Sequence, residues 1–368
     1  MTSILKAIGL MSGTSMDGID AAILDTDGER IAAFGPARFQ PYSTDMQAHL
    51  REAIQTAASI RAAGPLTPKI EMLERDLTDA HAEAVFRLLA ESNLKAEQID
   101  IIGFHGQALV HRPAERMTLQ IGSGPRLAIR TQIDVVNDFR TADVRTGGQG
   151  APLVPIYHAA LAATRAPVAV LNIGGVANVT FVGANGDMIA FDTGPGNAPI
   201  DDWVLKYTGT PVDAGGALAA KGHANENVIA ELLQHAYFAK PPPKSLDRME
   251  FDLDIARNLG LEDGAATLTA FAARSIAASR RHFPQVPREW IVCGGGRHNV
   301  TLMRDLRLAL QDAKVITAED AGWRGDFVEA EAFAFLAVRS LRGLPISFPM
   351  TTGVPRPMTG GTLSLAKR

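Results

Sequence analysis

The chain has 368 residues, of which 46% are hydrophobic and 21% are charged. At roughly 150 residues per domain, this length favours two domains, and the composition excludes a disordered chain, a collagen-like repeat and a small disulfide scaffold. The 36 Lys and Arg residues nearly balance the 40 Asp and Glu residues, leaving a net charge of −4. So small a charge gives no electrostatic reason to expect nucleic acid or anionic lipid as a partner.

Cysteine usage and hydropathy also narrow the class of protein. Cys293 is the only cysteine, so an internal disulfide cannot form and no cysteine cluster offers a zinc site. The uncharged window 166–186 is long enough to suggest a membrane span, but Pro167 and several Gly, Asn and Thr residues within it suit a helix in lipid poorly. We expect two buried strands joined by a glycine turn there, no membrane contact, and a cytoplasmic protein.

Apolar runs and helical patterns alternate along the chain. Short apolar runs that predict strands lie at 7–11, 19–24, 99–104, 117–121, 168–173, 188–191 and 290–293. Residues 44–93 have helical spacing, which Gly64-Pro65 and Thr67-Pro68 divide into two helices. A helix is expected at about 153–164, and the chain is mostly helical up to His282. This alternation predicts an α/β protein.

Glycine turns at the ends of apolar strands are the most informative feature. They lie at 13–18, at 174–175 and 194–196, and at 294–296. A loop that wraps phosphate needs backbone N–H groups close to the oxygens, and glycine removes the Cβ that would interfere. Thr14 and Ser15 add hydroxyl donors, and Asp17 or Asp20 could hold a metal ion. Ordinary glycine hairpins are the alternative, and no turn has the P-loop or dinucleotide-binding spacing.

Two kinds of titratable residue are candidates for chemistry. Asp192 follows a predicted strand and precedes a Gly-Pro-Gly turn, where it could act as a general base; the alternative is an Asp that caps its own turn. Glu329 and Glu331 begin an apolar helix, where acids ordinarily favour the helix dipole. His105 ends a strand as either a satisfied buried histidine or a ligand contact, and Lys244 could contact phosphate or substrate.

Several blocks of sequence resemble one enzyme family. The segment GLMSGTSMDGID at 9–20 resembles the opening signature of the anhydro-N-acetylmuramic acid kinases. Later blocks resemble that family in the same order along nearly the whole chain: FHGQ at 104–107, GGQGAPL at 147–153, LNIGGVAN at 171–178, FDTGPGN at 191–197, PPKS at 242–245, VCGGG at 292–296 and GDFVEA at 325–330.

The resemblance implies an α/β fold of the sugar kinase, Hsp70 and actin class, which is ribonuclease H-like and has two lobes around a central nucleotide cleft. We place the N-terminal lobe at 1–135 plus 346–368 and the C-terminal lobe at 136–345. The resemblance also implies a homodimer. It implies that ATP with Mg²⁺ phosphorylates O6 of 1,6-anhydro-N-acetylmuramic acid while water opens the anhydro bridge, a reaction of cell-wall recycling.

The same resemblance implies roles for individual residues. Asp192 would deprotonate the water, helped by Glu329, and His105, Gln107 and Gln149 would contact the sugar. The residues expected to bind the nucleotide are Gly13, Thr14, Ser15, Met16, Asp17, Gly18, Ile19, Asp20, Gly174, Gly175, Gly194, Gly196, Gly294 and Gly295.

The chain departs from the family pattern at two places. It reads Leu246-Asp-Arg-Met-Glu-Phe251 where the family pattern is Thr-Gly-Arg-Glu-Phe, and Ala108 stands where the pattern has Thr. These departures concern the contacts around Lys244 and Gln107 and not the reaction. Two alternatives to the anhydro-sugar kinase stay open on other grounds. One is a kinase of the same fold that acts on another amino sugar without ring opening. The other is an ATP-hydrolysing regulator, which the lack of a separate peptide-binding domain disfavours.

Overall fold

The computed structural model describes residues 2–13, 15–61, 64–247, 250–251 and 253–366. They form two compact units, Met1–Leu161 with Phe327–Arg368, and Ala162–Asp326. This division differs from the expected lobes at both boundaries. Residues 136–161 and 327–345 pack with the first unit.

The strands and helices alternate as the α/β expectation requires. The strands are β1 (Leu5–Met11), β2 (Gly18–Thr26), β3 (Ile31–Pro41), β4 (Ile101–Phe104), β5 (Gln107–Arg112), β6 (Met117–Ile121), β7 (Val135–Asn137), β8 (Val168–Ile173), β9 (Val176–Val182), β10 (Met188–Pro195), β11 (Glu289–Cys293), β12 (Lys314–Thr317) and β13 (Thr362–Ser364). The helices are α1 (Thr44–Ala57), α2 (Pro68–Glu91), α3 (Gly124–Thr131), α4 (Thr141–Arg145), α5 (Pro155–Leu161), α6 (Ala198–Thr208), α7 (Glu226–Leu232), α8 (Leu261–Ala278), α9 (Val300–Ala309), α10 (Val328–Leu341) and α11 (Pro349–Thr352).

The first unit is built on a mixed sheet with the order β13-β7-β4-β1-β2-β3. Strands β1, β2 and β3 are antiparallel, whereas β4 is parallel to β1 and β7 is parallel to β4. Helix α10 packs so closely on this sheet that a Cβ at Gly9 would lie only 1.7 Å from the carbonyl oxygen of Ala330. This backbone contact joins α10 to the first unit, and β7 carries that unit past the expected boundary at residue 135.

The second unit repeats the arrangement. Its sheet has the order β10-β9-β8-β11-β12, in which β8, β9 and β10 are antiparallel and β11 and β12 continue in parallel from β8. Its core includes Leu171, Val292 and Trp290 from the sheet and Ile276 from α8, all fully buried. Each sheet therefore contains three antiparallel strands followed by two parallel ones, and β13 adds a sixth, antiparallel strand to the first sheet. The prediction of an α/β protein is confirmed.

The continuous apolar runs were the best guide to the elements. The two helices within 44–93 are confirmed, and the strands at 117–121 and 168–173 have the predicted bounds. The window 166–186 holds β8 and β9, as expected, and no helix in the described part of the chain is long and apolar enough to span a membrane. The strand expected at 188–191 continues to Pro195, and β3, β5, β7, β12 and β13 were not predicted.

Candidate active site

A buried polar network holds the loop between β1 and β2. The Ser12 hydroxyl donates to Gln107 Oε1 at 2.7 Å, and the Tyr42 hydroxyl donates to Ser12 Oγ at 2.9 Å. Gln107 Nε2 donates to the carbonyl oxygen of Gly13 at 3.2 Å. Gln107 is 1% exposed, and both ends of its amide fix the loop. The structure thus gives Gln107 a structural task, and its expected sugar contact stays a prediction.

The loop itself is compact and leaves space above Gly13. Among the described residues beyond its chain neighbours, a Cβ at Gly13 would have only Ser15 Oγ within 4 Å, at 3.8 Å. The Ser15 hydroxyl donates to Asp17 Oδ1 at 2.6 Å, and Met16 has the left-handed φ of 53°. Thr14 lies outside the described residues. Gly18, Ile19 and Asp20 begin β2, which extends from the loop.

Asp17 and Asp20 are the acids that this loop offers to a magnesium ion. Among the described residues, no group of three or more His, Cys, Asp or Glu could hold a metal ion. Mg²⁺ bound with a nucleotide needs only one or two carboxylates, because phosphate oxygens and water supply its other ligands. The donor set at this loop therefore fits a magnesium ion bound together with a nucleotide.

Two glycine turns of the second unit join through their backbones. Gly174 and Gly175 link β8 to β9, and Gly196 follows β10. The Gly196 N–H donates to the Gly175 carbonyl at 2.9 Å, and the Asn197 N–H donates to the Gly174 carbonyl at 2.8 Å. A Cβ at Gly196 would lie 2.2 Å from the Gly174 oxygen, so any larger residue would separate the turns. The sequence analysis grouped these two turns together, and their backbones are hydrogen-bonded to each other.

The third glycine turn lies at the same edge of this sheet. Strand β11 is parallel to β8, with Cys293 opposite Asn172, so the turn that begins at Gly294 lies beside the end of β8. Buried Arg297 fixes the turn, because its Nη1 donates to the Gly294 carbonyl at 2.9 Å and its Nη2 pairs with Asp326 at 2.6 Å. Sequence reasoning missed Arg297, although it directly follows Gly294-Gly-Gly296.

Asp192 lies within β10, where a bulge separates it from Gly194, and not after the strand as expected. Its Oδ2 accepts a hydrogen bond from the Leu246 N–H at 2.8 Å, and its own N–H donates to the Lys244 carbonyl at 3.0 Å. The Tyr237 hydroxyl donates to its carbonyl oxygen at 2.6 Å. The carboxylate therefore bonds to backbone 54 residues away and does not cap its own turn.

The surroundings of Asp192 raise the basicity of its carboxylate. Burial raises the pKa of its carboxyl to about 6, and the bond from the Leu246 N–H only partly opposes this rise. At neutral pH such a carboxylate is ionised yet far more basic than an ordinary aspartate, as general base catalysis requires. Nearby, burial lowers the pKa of Lys244 to about 8, and its ammonium donates to the Tyr237 carbonyl at 3.1 Å.

The two acids of α10 differ in environment. Glu331 is fully buried and accepts a hydrogen bond from the Tyr157 hydroxyl at 2.6 Å, which agrees with a structural role. Glu329 has an exposed side chain in the first turn. The surrounding protein still desolvates it enough to raise the pKa of its carboxyl, and the positive charge of Arg140 partly offsets that effect.

His105 is a neutral residue with both ring nitrogens engaged. Its Nδ1 donates to the Gly106 carbonyl at 2.8 Å, and its Nε2 accepts from Arg140 Nη2 at 3.0 Å. Burial and the adjacent Arg140 charge lower the pKa of His105 to about 3. These contacts match the interpretation of His105 as a buried histidine whose hydrogen bonds are satisfied within the protein. Its contact with the sugar stays a prediction. Arg140 itself was not singled out from the sequence.

Gln149 belongs to a loop that its backbone fixes at both ends. Its N–H donates to the Thr352 carbonyl at 2.6 Å, and its carbonyl oxygen bonds to His111 Nε2 at 2.9 Å. The next residue, Gly150, donates its N–H to buried Asp143 at 2.6 Å. This loop therefore has a fixed backbone, and the contact of Gln149 with the sugar stays a prediction.

Residues 5–366 match the family model described as anhydro-N-acetylmuramic acid kinase. The chain belongs to this family. Relatives with that name include one from Rhizorhabdus wittichii, 54% identical over 369 residues, and one from Rhodopseudomonas palustris (strain ATCC BAA-98 / CGA009), 50% identical over 363 residues. Each alignment covers 98% of this chain and 99% of the relative. This member of the anhydro-N-acetylmuramic acid kinase family is thus a kinase, which uses ATP to phosphorylate an alcohol group.

Solved structures similar to the chain include component A of (R)-2-hydroxyglutaryl-CoA dehydratase from Acidaminococcus fermentans and xylulose kinase from Lactobacillus acidophilus. The first is 14% identical, with a TM-score of 0.48 over 92% of this chain and 99% of that one. The second is 10% identical, with a TM-score of 0.47 over 98% of this chain and 94% of that one. The family membership and the repeated strand order agree with the expected sugar kinase, Hsp70 and actin class.

Proposed function

We propose that the chain converts 1,6-anhydro-N-acetylmuramic acid and ATP to N-acetylmuramic acid 6-phosphate and ADP, with Asp192 as the base that activates water. The fixed Asp192 carboxylate, with a pKa of about 6, carries this proposal. Water is a poor nucleophile, so its attack on the anomeric carbon calls for such a base. The reaction belongs to the recycling of cell-wall sugars.

The proposed chemistry couples two bond changes through one oxygen. Water attacks the anomeric carbon of the sugar and gives its proton to Asp192. The bond between that carbon and O6 breaks, and the electron pair goes to O6. O6 then attacks the γ-phosphorus of ATP, and the bond between the γ-phosphorus and the bridging oxygen breaks to release ADP. Glu329 is a weaker candidate, which would help to orient the water.

Backbone N–H groups of the glycine turns would bind the nucleotide phosphates. The proposed residues are those of the loop 13–20 and the turns that contain Gly174, Gly175, Gly194, Gly196, Gly294 and Gly295. Asp17 and Asp20 would hold Mg²⁺, which when bound neutralises charge on the phosphate oxygens. His105, Gln107 and Gln149 remain our proposed sugar contacts, and a homodimer remains our proposed assembly.

The test is product analysis with the purified protein. With ATP and the anhydro sugar, mass spectrometry is expected to detect N-acetylmuramic acid 6-phosphate and an equal amount of ADP. Without sugar, ADP formation is expected to be slow. Phosphorylation of N-acetylglucosamine with no reaction of the anhydro sugar would support the kinase without ring opening. Rapid ADP release that is independent of sugar would support the ATP-hydrolysing regulator.

A further inference from the structure

Neutral acceptors, and not an acid, hold the guanidinium of Arg140. Its Nε and Nη2 donate to His105 Nε2 at 3.2 and 3.0 Å, and its Nη1 donates to the Gly150 carbonyl at 2.7 Å. Within the described part of the chain, no Asp or Glu oxygen lies within 4.0 Å of this guanidinium. A partly buried cation without a paired anion is costly, so its presence calls for a reason.

The groups that hold Arg140 are themselves fixed. His105 bonds to the Gly106 carbonyl, and its ring packs on Phe333 with a centroid separation of 4.7 Å. Gly150 is anchored by its N–H bond to buried Asp143. The guanidinium is therefore preorganised, and its position is set before any ligand binds.

Arg140 keeps hydrogen-bonding capacity for a ligand. A guanidinium has five N–H donors, and the contacts with His105 and Gly150 engage three of them. The two that remain belong to Nη1 and Nη2, one on each nitrogen. Two nitrogens of a guanidinium can together bind both oxygens of one carboxylate. Neutral His105 adds no competing positive charge. The arrangement suits a small anion with two oxygens.

Two anions are available in the proposed reaction, the phosphates of ATP and the carboxylate of the muramic acid substrate. Arg140 lies close enough to Glu329, the proposed helper at the sugar, for their charges to interact. It also bonds directly to His105, a proposed sugar contact. These two neighbours favour the sugar. The carboxylate, on the lactyl group at O3, is the group that distinguishes N-acetylmuramic acid from N-acetylglucosamine.

We propose that Arg140 binds the lactyl carboxylate of the substrate and thereby selects the muramic acid sugar. This inference rests on the proposed function. Sequence reasoning could have found Arg140 through the polar segment Asp138-Phe-Arg140 after β7, but an arginine in a polar loop carries little signal by itself. Unlike Arg297, which pairs with Asp326, Arg140 has no paired acid among the described residues.

The test compares the anhydro sugar with its lactyl carboxamide, in which the negative charge is removed and the ring is unchanged. Calorimetry would measure the binding of both compounds to the wild type and to Arg140→Gln, Arg140→Lys and Arg145→Gln. Arg145 is an exposed arginine on α4 and serves as the matched control. Melting temperatures would establish that each variant is folded.

We expect the wild type and Arg145→Gln to bind the acid about 10- to 100-fold more tightly than the carboxamide. Arg140→Gln is expected to bind both compounds with similar affinity, while its KM for ATP stays near the wild-type value. Arg140→Lys keeps the charge but not the two-pronged geometry, so it is expected to recover part of the preference. If Arg140→Gln is unfolded, Arg140→Lys decides the question: a preference for the acid that is smaller than in the wild type supports the proposal, and an undiminished preference contradicts it.

Other outcomes would overturn the proposal. If Arg140→Gln weakens the binding of acid and carboxamide equally, Arg140 holds the loop or Glu329 in position and does not bind the carboxylate. A raised KM for ATP alone would assign the guanidinium to a phosphate. If the wild type does not convert the anhydro sugar, the proposed function is contradicted. The binding data then still decide the role of Arg140: the role is supported if the wild type prefers the acid and Arg140→Gln does not.

Discussion

Replacing Asp192 with Asn should remove activity and at the same time stabilise the protein. Burial raises the pKa of Asp192 from 3.8 to about 6, which corresponds to about 3 kcal/mol of unfavourable free energy for holding the ionised carboxylate in the folded chain. Asn has the same shape without the charge, and its side-chain oxygen can still accept the bond from the Leu246 N–H. Loss of the base is expected to lower kcat by about 10²- to 10⁴-fold.

The pH dependence of stability follows from the direction of the shift. Because the folded state binds this proton more tightly than the unfolded state, the penalty is absent below about pH 4, grows up to about pH 6, and is complete above that. The stability gain of Asp192→Asn should therefore be largest, as much as about 3 kcal/mol, at pH 7 and should vanish near pH 4. Wild-type kcat/KM should fall about tenfold per pH unit below pH 6.

Urea unfolding at pH 4 and pH 7, together with steady-state kinetics, would measure both effects. Asp187→Asn is the matched control, since Asp187 is exposed and directly precedes β10. It should change neither stability nor turnover. Near-normal turnover by Asp192→Asn would remove Asp192 from the role of base. Marked destabilisation by the same variant would show that the carboxylate is needed to hold the fold.

Three further substitutions separate binding, packing and catalysis. Gly13→Val should raise the KM for ATP at least tenfold with an unchanged melting temperature. Among the described residues beyond its chain neighbours, its Cβ would approach Ser15 Oγ no closer than 3.8 Å, whereas it would obstruct a bound phosphate. Gly196→Ala should lower stability by about 1–3 kcal/mol through its clash with the Gly174 oxygen. Gly295→Ala should not, because no described atom beyond its chain neighbours lies within 4 Å of its Cβ. Glu329→Gln should lower kcat about 10-fold, less than Asp192→Asn. An unchanged KM for ATP in Gly13→Val would contradict the phosphate-binding role of the loop. Equal melting temperatures for Gly196→Ala and Gly295→Ala would contradict the packing argument, and an unchanged kcat in Glu329→Gln would contradict the helper role.

The elements that the sequence predicted well have continuous apolar runs. Strand β8 is buried along nearly its whole length, so its run VAVLNI is clear at 168–173. Strand β3 is an edge strand in which Phe34 and Phe39 are exposed, and it shows no clean alternation between apolar and polar residues. Strand β12 has only four residues. Such elements depend on pairing with a neighbour, which local patterns do not reveal.

The site was predictable where one short segment supplies its parts. The glycine turns are visible in the sequence, and the association of Gly174 with Gly196 follows from β8 and β10 belonging to one sheet. The environment of Asp192 was not predictable, because Leu246 and Tyr237 reach it from 54 and 45 residues away. The departure at 246–251 includes residues 248 and 249, which lie outside the described residues.

The most direct test of the account is the fate of solvent oxygen during turnover. The enzyme would be given the anhydro sugar and ATP in ¹⁸O-labelled water, and the products would be analysed by mass spectrometry before the sugar exchanges with solvent. Attack of water on the anomeric carbon predicts one ¹⁸O atom in the anomeric hydroxyl and none in the 6-phosphate. Label in the phosphate, or an anomeric hydroxyl free of label, would contradict it.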